Sequence, residues 1–135
     1  IISSLVECAA YSEFENLVYS DKALTVEKCN GYFRQVAEEY GITGGESVYL
    51  YWVMVSHLFE YPYYVAGYSV SADIALQIFE SCDGSIDPYL DFIKLASGGS
   101  FLENVKTAGL ESPFAEGRAE KSAVVIKKLT DKYFS

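Results

Sequence analysis

Histidine is almost missing from this chain. His57 is the single one in 135 residues. One histidine cannot complete a zinc site that needs two, nor a mixed Cys/His finger. Cysteine is scarce as well: Cys8, Cys29 and Cys82 are odd in number, widely spaced, and form no C-x-x-C pair. That excludes a disulfide framework and argues against structural zinc. They read as free, mostly buried thiols of a reducing compartment, so a cytoplasmic location is expected. A cysteine nucleophile paired with His57 has no local support. Basic residues are few, 10 against 19 acidic ones, for a net charge of −9. Phosphate backbones and anionic membrane surfaces want the opposite sign, so neither nucleic acid nor membrane is an expected partner. Long apolar runs are absent too. The longest, Val48 to Val55, is far short of the roughly 20 residues a bilayer span requires.

What remains is rich in core material. Half the residues are hydrophobic and 16% are aromatic, including 12 tyrosines. Such a composition excludes intrinsic disorder despite the charge. The length suits one domain, expected over residues 1–135.

The periodicity is helical. Leu5, Cys8, Ala9, Phe14, Leu17 and Val18 form a rough stripe from Ile1 to about Tyr19. Thr25 is placed to cap a second helix carrying Val26, Cys29, Phe33, Val36, Ala37 and Tyr40, with Gly41 as its left-handed stop. Val48 to Phe59 is apolar and aromatic almost throughout, and periodicity alone leaves strand and helix open. Asp87-Pro88 reads as a cap followed by a first helical residue. Ser100 and Glu103 have capping-box spacing, Gly109 is a stop, and Ser112-Pro113 opens a last helix. No segment alternates with the period of a strand. The expected fold is all-α, with roughly six helices.

The stretch from His57 to Ser71 holds the lone histidine, Tyr61, Tyr63, Tyr64, Tyr68 and Pro62. Pro62 suits a first helical position, and a helix from there to about Ser81 is predicted. It would place Tyr64, Tyr68 and Ser71 on one face and Ala66, Val70, Ile74 and Ile78 on the other. A row of phenols can line a cleft and donate to a developing oxyanion. It can equally be core tyrosine with satisfied hydroxyls, as a lone histidine can be structural.

His57, then Pro62-Tyr63-Tyr64-Val65 and Gly67-Tyr68-Ser69-Val70-Ser71-Ala72, resembles the C-terminal signature of oligoendopeptidase F, a zinc metallopeptidase of the thimet oligopeptidase family. Two further blocks agree in order. Tyr11-Ser-Glu-Phe-Glu15, with Leu24-Thr25 and Glu39-Tyr40-Gly41, resembles the helical segment after that family's zinc site. Ser97-Gly-Gly-Ser100, with Ala108-Gly109-Leu110 and Ser112-Pro113, resembles its last helical hairpin. The resemblance favours a short helix or turn leading to His57.

It also implies what is missing. Family members bind zinc through a His-Glu-x-x-His helix and a second glutamate, and a chain with one histidine does not hold that motif. The chain starts Ile-Ile, and on the family pattern the motif would precede Ile1. The expectation is therefore the C-terminal portion of a larger helical metallopeptidase domain. Zinc would be a cofactor of the intact parent and not of this piece, which alone would be inactive. The implied catalytic residues are His57 and Tyr68, with Tyr61 and Tyr64 as substrate-binding candidates. The family's further tyrosine, two residues before the Tyr68 position, is Ala66 here. The implied partners are an oligopeptide substrate and the N-terminal, zinc-bearing part of the same enzyme. Apolar surface left by separation from that part would favour self-association. The competing expectation is a non-catalytic helical interaction module.

Overall fold

The computed structural model describes residues 2–134 and is all-α over them. Seven α-helices are described: α1 (Ile2–Ser20), α2 (Val26–Glu39), α3 (His57–Glu60), α4 (Ala66–Ser81), α5 (Asp87–Lys94), α6 (Phe101–Thr107) and α7 (Arg118–Phe134). Two 3₁₀ segments, Val48–Met54 and Leu95–Ser97, join them. The expected helix start at Ile1 lies outside the described residues. No described helix is long and apolar enough to cross a membrane.

Local signals explain most boundaries. The Thr25 side chain accepts from the Lys28 N–H and starts α2. Gly41 follows with φ +67°, a conformation that glycine reaches without a Cβ penalty. Ser100 and Glu103 make both bonds of the capping box ahead of α6. The ambiguous run after Ser47 resolves as 3₁₀ helix through i→i+3 bonds, such as Val48 N–H to the Gly45 carbonyl at 2.8 Å.

Three expected boundaries are wrong. α4 begins at Ala66 and not at Pro62. Tyr63 between them has φ +62°, and an L-residue in that region cannot sit inside a right-handed helix. Pro62 therefore belongs to a turn. The last helix begins at Arg118 rather than at Ser112-Pro113, because Gly117 is left-handed at φ +75° and residues 112–117 form turns. The Ser112 carbonyl accepts there from the Ala115 N–H at 3.0 Å. Asp87 is the first residue of α5 and not its cap. The Asp87 N–H is satisfied at 3.1 Å by the Ser85 hydroxyl.

The chain divides into two compact units, Ile1–Val70 and Ser71–Ser135. The first is built on aromatic packing. Phe14, Cys29, Phe33, Ala37, Trp52, Leu58 and Val65 form its core. Phe33 stacks on Tyr11 at 5.5 Å and meets Phe14 edge-on at 5.3 Å. Trp52 Nε1–H donates to Asn30 at 3.1 Å, so its polar end is satisfied inside the core. The second unit has a smaller core of Ile74, Ile78 and Val105. Beside it the buried Arg118 donates through Nε to both Asp73 oxygens at 2.9 and 3.1 Å, and the Ser122 hydroxyl bonds the same carboxylate. Removing one partner from such a network leaves a buried charge unpaired, which makes it structural support. All three cysteines are free.

Asp21 ties the α1–α2 turn. It accepts from Lys28 Nζ at 2.7 Å, the Ala23 N–H at 2.8 Å and the Tyr32 hydroxyl at 2.9 Å. The Lys28 bond first, then the other two, hold its carboxyl down to about 2 from an ordinary 3.8. A lowered carboxylate contributes stability that is present above its unfolded value and lost as pH falls through the folded one. Asp21→Asn is therefore expected to lower the urea midpoint at neutral pH. It should also flatten the loss of stability between pH 3.8 and about 2. A pH series of urea denaturations checks both effects.

Candidate functional site

The first unit gathers its site on one side of α1. Positions 8, 15 and 19 are separated by seven and four residues, which brings Cys8, Glu15 and Tyr19 to one helical face. Two of them reach the segment that carries the lone histidine. The Tyr19 hydroxyl donates to the Leu58 carbonyl at 2.9 Å, next to His57. The Glu15 carboxyl accepts from the Tyr63 N–H at 2.8 Å.

Those contacts present four rings together. His57 lies flat on Tyr64, with centroids 5.1 Å apart and ring planes 6° apart. Tyr68 meets both edge-on, at 6.0 Å from His57 and 5.4 Å from Tyr64. Tyr61 reaches Tyr64 at 6.0 Å. The sequence-predicted residues His57, Tyr61, Tyr64 and Tyr68 thus form one connected group. The route differs from the expected one, since Tyr64 sits in the turn and not in the helix. The turn closes onto α4 through Tyr68 N–H to the Val65 carbonyl at 3.0 Å and Gly67 N–H to the Tyr64 carbonyl at 3.1 Å. Ser71, expected on the same face, falls in the second unit.

The group is open to solvent. Tyr61, Tyr64 and Tyr68 are 59%, 53% and 43% exposed, and His57 is half-buried. So these are not core tyrosines. A hydrogen bond with Tyr64 is the first cause that lifts the Tyr68 phenol above its ordinary value of 10, followed by desolvation and by the charges of Tyr64 and Cys8. A phenol shifted upward keeps its proton at neutral pH and remains a hydrogen-bond donor.

Glu15 escaped the sequence reading. It is 2% exposed, and its Oε2 is buried with no hydrogen-bond partner among the described residues. Burial pushes its carboxyl up, and the Tyr63 N–H pulls it back in part. The available signal was its register. Seven residues after Cys8, it lies on the apolar stripe of α1, where a carboxyl needs a reason.

Among the described residues no group of three or more His, Cys, Asp and Glu is placed to hold a metal ion. The described side chains do not fit a zinc site. The second unit has a hollow of about 380 Å³ lined mainly by Ile74, Ile78, Phe79, Phe92, Ile93 and Phe101. Its lining is mainly apolar, with Ser71, Cys82 and Tyr89 as its polar members.

The chain is similar to oligopeptidase PepF of Bacillus subtilis (strain 168), 28% identical over 112 residues. The match takes in 75% of this chain and 17% of that protein's length. No protein-family model matches the chain, and no solved structure matches it.

Tyr64→Phe removes the first-named cause of the Tyr68 shift. The Tyr68 phenol is then expected to titrate closer to 10 than in the unaltered chain. ¹³Cζ NMR of labelled tyrosine follows that titration. An unmoved Tyr68 would mean that desolvation carries the shift.

Proposed function

We propose that this chain is the C-terminal portion of a zinc-dependent oligopeptidase and supplies a wall of its substrate cleft. The observation that carries the reading is the open His57–Tyr64–Tyr68 ring group. The similarity to oligopeptidase PepF supports the same reading, over a short part of that protein's length.

In this account Tyr68 donates to the oxyanion that forms when water adds to a scissile carbonyl. His57 lies against the same rings and is the second polar group of the wall. Tyr61 and Tyr64 present flat, exposed faces for a short peptide. The general base and zinc belong to the N-terminal part of the parent, which is the principal partner. The described residues do not fit the metal, so no step of the wall's chemistry runs through it. The isolated piece is inactive on this reading. A cytoplasmic location, a single domain over residues 1–135, and self-association through exposed apolar surface complete the proposal.

Tyr68→Phe in the full-length parent is expected to lower kcat by roughly 100- to 1,000-fold with little change in KM, the size typical of one lost oxyanion donor. Steady-state kinetics on a short peptide checks it. Unchanged kcat would assign Tyr68 to structure and favour a non-catalytic interaction module, which the exposure of these rings also fits.

A further inference from the structure

We infer that Glu15 is a positioning residue for the ring group, acting through the backbone of Tyr63 to hold Tyr64 against His57. The inference rests on the wall reading for its functional meaning, but its geometry stands without it.

Tyr63 has φ +62° and is the one described residue other than glycine with positive φ. Tyrosine does not adopt that conformation unaided, so something outside the turn must select it. The Tyr63 N–H donates to Glu15 Oε1 at 2.8 Å, across 48 residues of sequence. The acceptor is 2% exposed, so water does not compete for it. The same helix holds the other end of the segment, through the Tyr19 hydroxyl on the Leu58 carbonyl at 2.9 Å. The Tyr19 and Tyr63 rings meet at 5.4 Å and close the pair of anchors. His57 adjoins one anchor and Tyr64 the other, so α1 sets the separation at which the two rings stack. A left-handed residue just before Tyr64 turns the chain into α4 while leaving the Tyr64 ring over the imidazole.

Glu15 is costly where it is. One oxygen is buried without a partner among the described residues. An apolar residue would suit the α1 stripe better if packing were all it served.

The single histidine makes the test unambiguous. Its ring protons in the 135-residue chain report the Tyr64 face stacked on it. Glu15→Ala is expected to move those signals toward random-coil positions and to abolish the Tyr64–His57 NOEs, while helical circular dichroism is retained. Glu15→Gln, whose amide oxygen still accepts from Tyr63, is expected to keep both. Unchanged His57 signals in a folded Glu15→Ala chain would overturn the inference. If Glu15→Ala does not fold, amide exchange in the unaltered chain decides. Tyr63 N–H should exchange as slowly as the hydrogen-bonded interior amides of α2, and exchange at the rate of an open turn overturns the proposal. Glu15→Ala in the full-length parent should lower kcat more than it raises KM. Displaced His57 signals with unchanged parental turnover would overturn the wall function and leave the clamp standing.

Discussion

The hydrogen bond from the Tyr63 N–H to buried Glu15 is the constraint on which the candidate site depends. A non-glycine residue in the left-handed region stores about 1–3 kcal/mol of strain. A neutral hydrogen bond contributes about 0.5–1.5 kcal/mol, and one to a charged group about 1.5–3 kcal/mol. Either kind of bond offsets a substantial part of that strain, an ionised carboxylate more than a neutral acceptor. Burial pulls the other way and favours the neutral form. Two opposed effects meet at one carboxyl, and the turn bearing Tyr61 and Tyr64 hangs from the result. Proteins tolerate such local conflict mainly where function requires a particular geometry.

The fold was largely legible because its punctuation is local. Thr25, Gly41, the Ser100–Glu103 box and Gly109 act within a few residues of themselves, and each does what its chemistry implies. One error came where a distant residue decides. Pro62 reads as a helix start on its own, yet Glu15, 48 residues from Tyr63, bonds the turn that delays the helix to Ala66. Ser112-Pro113 misleads for a simpler reason, since the left-handed Gly117 after it resets the helix start.

The four rings that the sequence singles out come together in the structure, while the residues that support them were not legible. His57, Tyr61, Tyr64 and Tyr68 stand close together in sequence, and their rarity or pattern marks them. Their support comes from α1 through Glu15 and Tyr19, in a helix that reads as an ordinary apolar stripe. A carboxyl on that stripe carries information only when the residue it bonds is known. The aromatic core around Phe14, Phe33 and Trp52 takes in Leu58 and Val65, so the segment that carries the rings is also anchored there.

The central claim, a wall that receives an oxyanion, is tested most directly by a crystal structure of the full-length parent with a phosphinic peptide bound. Its tetrahedral phosphorus centre imitates the adduct of water and a scissile carbonyl. A phosphinyl oxygen about 3 Å from the Tyr68 hydroxyl, the distance of an oxyanion donor, is the expected result. A peptide bound elsewhere, with the His57–Tyr64–Tyr68 group facing solvent or another part of the protein, would contradict the account.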